Sequence, residues 1–207
     1  MKELKIELGP SHDKRLLEFS LPDSPKKIGV LVSGGLDSAI LLYIIKYLNQ
    51  NNFHKITPLT IEREEGSKIY APKVLDYINS IFINDLSNFE VIKLPKIPPH
   101  IEVTLAIHLM LRKNLFDVLY LGVIQTREEH AHGITIIKPS TKIDYIKYPF
   151  IELEKSHIVD LIYKMKQEYF LDITTSCDTG KNCRTCNGCN ERAWGIDQIK
   201  SDLQNPQ

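Results

Sequence analysis

Ile28-Gly29-Val30-Leu31-Val32 runs directly into Ser33-Gly34-Gly35-Leu36-Asp37-Ser38, and that hexapeptide directly into Ala39-Ile40-Leu41-Leu42-Tyr43-Ile44-Ile45. A buried strand that passes through two glycines and hydroxyl residues into a helix builds an anion site, because unpaired backbone N–H groups and the positive end of the helix dipole converge there. Glycine admits positive φ and lets the backbone come close to a pyrophosphate, while the hydroxyls of Ser33 and Ser38 can donate to phosphate oxygens. Asp37 would repel a phosphate unless a divalent cation lay between them, so it either caps the helix or reaches Mg2+. The segment has neither the lysine of a Walker A loop nor the glycine spacing of a dinucleotide fingerprint. The expectation is a nucleotide-phosphate loop of another kind, built from Val32, Ser33, Gly34, Gly35, Leu36, Asp37, Ser38 and Ala39.

Outward from this turn the chain repeats one rhythm. Strands are expected at 55–61, 89–94 and 117–123, separated by helices at about 67–82 and 100–113, with a further amphipathic helix at about 154–168 carrying Ile158, Leu161, Ile162 and Met165. Strands alternating with helices pair in parallel through right-handed crossovers, so the expected fold is α/β with a doubly wound, mainly parallel sheet. The phosphate loop then belongs at the carboxyl end of the first strand of that sheet, near the switch point where ligands bind. Residues 2–8 and 15–20 read as a short hairpin at an edge, and 124–149 as a connection lining a pocket. Three parts follow: an N-terminal edge (1–25), a nucleotide-binding α/β domain (26–168) and a carboxyl-terminal segment (169–207) on the same domain.

The 207 residues suffice for one unit with a full core. Basic and acidic residues balance at 26 each, so no global field draws the chain to nucleic acid or to a membrane, and neither is expected as a partner. Lys2-Glu3-Leu4-Lys5-Ile6-Glu7 has no apolar leader centre, and no apolar run reaches the length of a membrane span. A cytoplasmic location is the expectation.

All four cysteines are crowded near the carboxyl end as Cys177-x5-Cys183-x2-Cys186-x2-Cys189. Thiolates at knuckle spacing suit a closed tetrahedral Zn2+ site, whose four protein ligands leave no position for a reactive water. An iron–sulfur cluster and a pair of disulfides are the competing readings. A structural zinc would fix the segment containing Arg192 and Trp194 against the nucleotide domain.

The hexapeptide 33–38 resembles the loop of the PP-loop ATP-pyrophosphatase superfamily. Together with Thr175-Ser176-Cys177, Cys183-Arg184-Thr185-Cys186-Asn187-Gly188-Cys189-Asn190-Glu191-Arg192 and the stretch from Pro149-Phe150 to Lys155-Ser156-His157-Ile158-Val159, it resembles 7-cyano-7-deazaguanine (preQ0) synthase. The likeness spans roughly residues 26–196 in order of elements. That family adenylates 7-carboxy-7-deazaguanine, lets ammonia displace AMP to give the amide, and uses a second ATP to dehydrate the amide to the nitrile. The resemblance implies that residues 32–39 hold ATP, with Asp37 and Lys155 catalytic and Lys155 acting electrostatically on the polyphosphate or adenylate. A solvated helix-start lysine is the alternative for Lys155. Gly122, Gln125, Arg127 and Arg192 become substrate candidates, Arg192 as a bidentate carboxylate ligand or else a structural ion pair. The family also implies Mg2+, Zn2+ and a homodimer.

Two stretches depart from the family pattern. Thr60-Ile61-Glu62-Arg63-Glu64-Glu65-Gly66 replaces an aromatic-Gly-Gln-basic stretch, and Ile124-Gln125-Thr126-Arg127-Glu128 replaces the Asn, Asp and Tyr residues that surround the deazapurine. Alternative functions are therefore a PP-loop enzyme that modifies a nucleic-acid base or amidates another acid, and a zinc-knuckle interaction module with an inactive nucleotide site. His130 and His132 read as a loop pair that is solvated or binds metal, His108 as a packed helix histidine, and Lys138, Lys142 and Lys147 as a weak basic strip.

Overall fold

The computed structural model describes residues 3–62, 67–82, 86, 89–94, 99–126, 144–177, 180 and 183–204. Its centre is a five-stranded, all-parallel sheet built from β3 (Lys27–Leu31), β4 (Lys55–Ile61), β5 (Glu90–Ile92), β6 (Val118–Leu121) and β7 (Ile146–Lys147), in the order β5-β4-β3-β6-β7. The order reverses at β3, which pairs with β4 on one side and β6 on the other. Above the carboxyl ends of β3 and β6 lies the crevice in which open α/β sheets bind ligands.

Each face of the sheet has its own core, which makes the fold doubly wound as expected. On one face, α1 (Leu36–Leu48) lies against Ile28, Val30, Ile56 and Tyr120, flanked by α2 (Ser67–Ile81), α4 (Lys155–Lys164), α5 (Phe170–Ile173) and the end of α6 (Asn187–Gln204). On the other, α3 (Pro99–Arg112) sets Ala106 and Met110 on Leu59, Ile61, Leu119 and Leu121. α1 is buried almost all round, as its continuous apolar run requires. Among the described residues no helix is long and apolar enough to cross a membrane.

Four elements differ from the sequence expectation. β1 (Glu3–Leu8) and β2 (Arg15–Ser20) do form an antiparallel hairpin, but as a separate two-stranded sheet lying against α4, with Leu8, Leu17 and Phe19 buried. The helix expected to reach about 168 stops at Lys164, because Lys166 adopts φ +56° and turns the chain into the short α5. β7 is two residues long, too short for a periodic signal. The long α6 has weak apolar patterning, with Gly188 and Gly195 inside it. His108 is exposed on α3 rather than packed. The His130, His132, Lys138 and Lys142 readings lie outside the described residues.

Candidate functional site

β3 ends at Leu31, and Val32 N–H still donates to Leu59 O at 2.8 Å, so the strand's direction carries into the loop. Gly34 then takes φ +83°, where a Cβ would stand 2.8 Å from Tyr70 Cβ and 2.9 Å from Ala71 N. Both the backbone angle and α2 therefore demand glycine at this position. Gly35 is the N-cap of α1 without a side-chain cap, which leaves the first N–H groups of the helix for a ligand. The serine hydroxyls brace the turn. Ser38 Oγ donates to Gly35 O at 3.1 Å and accepts from Ser33 N–H at 3.2 Å, while Gly35 N–H donates to Ser33 Oγ at 3.3 Å.

Asp37 does not cap the helix. Its two oxygens both accept from Lys155 Nζ, each at 2.7 Å. Lys155 is 3 % exposed, which removes the reading of a solvated helix-start lysine. The lysine begins α4, whose N-cap Glu154 closes a capping box with His157 and so fixes the direction in which that first turn leaves. Glu191 Oε2 stands 3.8 Å from the same ammonium, and burial pushes the Glu191 carboxyl up from its ordinary range. Gly195, one turn further along α6, is where a Cβ would sit 2.9 Å from Lys155 Cγ and 3.0 Å from its carbonyl carbon. Its missing side chain lets α4 and α6 cross closely, and the lysine stem occupies the gap.

Gly122 follows β6 and abuts the start of α1: a Cβ there would lie 2.9 Å from Asp37 C and 2.9 Å from Ser38 N. Gln125 is exposed, and its Oε1 accepts from Arg15 at 3.1 Å, while its N–H donates to Leu153 O at 2.8 Å. Arg127 lies outside the described residues. Arg192 is turned to the backbone, donating to Thr174 O at 3.2 Å, to Thr174 Oγ1 at 3.1 Å and to Leu171 O. Burial lowers its guanidinium pKa, opposed by the nearby charge of Asp37. Arg192 thus ties the end of α5 to the start of α6.

The four cysteine sulfurs lie within 4.8 Å of one another, with Cys177 Sγ 3.6 Å from Cys183 Sγ and 4.0 Å from Cys186 Sγ. Four thiolates about 2.3 Å from one tetrahedral ion have S–S edges of about 3.8 Å, which these separations match. A disulfide needs about 2.05 Å, and none of the four cysteines is disulfide-bonded. A four-iron cube spaces its sulfurs far wider, because each thiolate holds a different iron. Cys183 N–H points at Cys177 Sγ and Cys186 N–H at Cys183 Sγ, each at 3.4 Å, the kind of contact that steadies bound thiolates. Hydrogen bonds from Thr185 hold the Cys183 thiol below its usual range, whereas burial pushes Cys189 up to about 12. Thr175 joins this centre to the loop: its N–H donates to Gly34 O at 3.0 Å and its Oγ1 accepts from Cys177 N–H at 3.1 Å.

Glu191, Thr175, Arg15 and His157 carry contacts around the site that no local pattern announced. Only the i, i+4 spacing of Glu191 and Gly195, which puts both on one face of α6, was there to be read. A cleft of about 380 Å3 lies around Leu21, Asn49, Phe53 and His54, and one of about 790 Å3 beside it includes Lys27 and Lys55 at the amino ends of β3 and β4, opposite the loop. At the carboxyl ends the helix start, the buried lysine and the glycine cradle coincide.

No curated protein sequence matches the chain. Among solved structures it is similar to the U34-tRNA thiolase NcsA from Methanococcus maripaludis with its 4Fe-4S cluster, at 10 % identity and a TM-score of 0.47, over 89 % of this chain and 73 % of that one. The family model of the queuosine biosynthesis protein QueC matches residues 125–200. The matched span carries Lys155, Glu191, Arg192 and all four cysteines.

Proposed function

We propose that the chain is an ATP-dependent carbon–nitrogen ligase that adenylates a carboxylate and replaces the AMP with nitrogen, its substrate 7-carboxy-7-deazaguanine or a close deazaguanine relative. The observation that carries the reading is the buried Lys155, held at 2.7 Å from both oxygens of Asp37 at the uncapped start of α1. The QueC match over residues 125–200 supports the choice of substrate.

In this reading residues 32–39 bind the ATP phosphates through the N–H groups of the first turn of α1. A substrate carboxylate oxygen attacks the α-phosphorus, and pyrophosphate leaves with its bonding pair. The N–H groups are fixed by the start of α1 before the nucleotide arrives, and Lys155 keeps a positive charge beside the place where negative charge grows. Ammonia then adds to the acyl carbon and AMP departs, giving the amide. Adenylation of the amide oxygen by a second ATP, followed by loss of AMP and protons, gives the nitrile. Asp37 is the residue that would hold Mg2+, which neutralises phosphate charge when bound. Gly122 keeps the Ser38 amide approachable from the β6 side.

The four cysteines would hold Zn2+, and the sulfur separations support a single tetrahedral ion. Its role is structural, with four protein ligands and no open position. The test of the function is direct: protein, ATP, Mg2+, ammonium and 7-carboxy-7-deazaguanine, followed by mass spectrometry. The expected product has lost the carboxyl oxygens and gained one nitrogen, with AMP formed alongside. No AMP with that acid rejects the substrate, and AMP released only when tRNA is added favours base modification instead.

A further inference from the structure

The Lys155 ammonium has three protons and two carboxylates within ion-pair range, and it bonds only one of them closely. Asp37 takes two hydrogen bonds at 2.7 Å, while Glu191 Oε2 waits at 3.8 Å. Glu191 Oε1 is buried and accepts no hydrogen bond. A buried carboxylate with one empty oxygen and one overlong contact is costly in this state, and such groups in native structures call for an explanation. Closing the gap to the roughly 2.8 Å of a charge-assisted hydrogen bond needs a shift of only about 1 Å. The stem is free of a facing side chain on α6, because position 195 is glycine.

We propose that Glu191 is the second seat of Lys155: the ammonium leaves Asp37 for Glu191 when a nucleotide and its cation claim the Asp37 carboxylate. This rests on the reading of residues 32–39 as a nucleotide loop. Without the second seat, the nucleotide's arrival would strand a buried lysine or hold Asp37 back. With it, the positive charge stays beside the loop in both states. Glu191 acts through Lys155 and is a positioning residue.

A stability cycle on the metal-loaded protein tests the seat without any nucleotide. Asp37→Asn imitates the loss of Asp37 to a cation, and denaturant unfolding is measured for D37N, E191Q and the double variant. The expected result is coupling: the double variant loses at least tenfold more in folding equilibrium constant than the product of the two single effects. Additive effects overturn the proposal. If the double variant does not fold, a crystal structure of D37N decides, with Lys155 Nζ at hydrogen-bond distance from Glu191 expected and an unmoved or departed Nζ contrary to it.

Calorimetry on E191Q supplies a readout that a purely structural carboxylate would not move. Removing the charge relieves repulsion of metal-free ATP and deprives Lys155 of its alternate partner when the Mg2+ complex binds. The ratio of the two dissociation constants, ATP in Mg2+-free buffer without chelator over ATP with Mg2+, is expected to fall at least tenfold from wild type. An unchanged ratio with intact wild-type binding overturns the second seat. Wild type that binds no nucleotide at all rejects the phosphate loop, and the stability cycle still decides where Lys155 sits.

Discussion

Gly122 shows what a missing side chain does at the mouth of a helix. Nothing projects from position 122 into the start of α1, where a methyl would come within 2.9 Å of Asp37 C and Ser38 N. Neither atom can yield without moving the first turn of α1. Gly122→Ala is therefore expected to weaken nucleotide binding by at least about tenfold, since phosphate donors work only in place, with a smaller loss of stability; calorimetry and denaturant titration separate the two. At the same scale, the loop 33–38 was readable because its chemistry is local: strand, glycines, hydroxyls and helix follow one another without a gap. The partners of Asp37 were not. Lys155 is 118 residues away, and no periodicity connects them.

Among the elements, α4 gathers the most consequences. Its first turn carries Lys155 toward α1 and His157 toward the hairpin. His157 Nδ1 accepts from Glu154 N–H at 3.2 Å, so its proton sits on Nε2 and is donated to Asp13 O at 3.0 Å. Burial, and then the charge of Arg15, lower the histidine's pKa against the pull of Asp13. The neutral ring is the form the fold stabilises, and the unfolded chain binds the extra proton first. Stability from this group is full above the unfolded value of about 6.5 and drains away as pH falls toward the lower folded value. Urea denaturation at pH 7.5 and 5.5 is expected to show the drop in wild type and a smaller one in His157→Gln. Asp13, held low by Arg15, loses its own contribution only in more acidic solution.

The crossing of α4 and α6 gives a second expectation at this scale. Gly195→Ala gains roughly 1 kcal/mol of helix propensity, yet its methyl would meet Lys155 backbone atoms at 3.0 and 3.1 Å. Overpacking of that kind costs about 1–3 kcal/mol, so net destabilisation is expected, visible as a lowered denaturation midpoint. α6 itself escaped the sequence reading for a physical reason. Its buried residues are few, Glu191, Gly195 and Ile199, and two are not apolar, so the stripe that usually marks a helix is nearly absent. The strands and α1 were legible because their burial is written in continuous apolar runs.

For the whole molecule, the metal segment and the loop form one mechanical unit. Thr175 hydrogen-bonds Gly34 with its backbone and Cys177 with its side chain, and Arg192 clamps Thr174. Chelating the metal, or Cys186→Ser, should lower the melting temperature and, through Thr175, should also weaken ATP binding. Metal analysis paired with calorimetry checks both, and a metal-free protein of unchanged stability would contradict a structural centre. The cysteine spacing leads to the expectation of a metal; that the segment would brace the loop at Gly34 through Thr175 depends on packing that only three dimensions contain.

The hairpin β1–β2 finds its anchors late in the chain. Gly9 N–H donates to Asp160, Arg15 pairs with Glu154, and Ser11 bonds Asp202, partners 151, 139 and 191 residues downstream. The ribbon and its berth are separated by well over a hundred residues of chain, so Leu8, Leu17 and Phe19 gain their cover only through long-range contacts, and this hairpin is expected to be among the last pieces to settle.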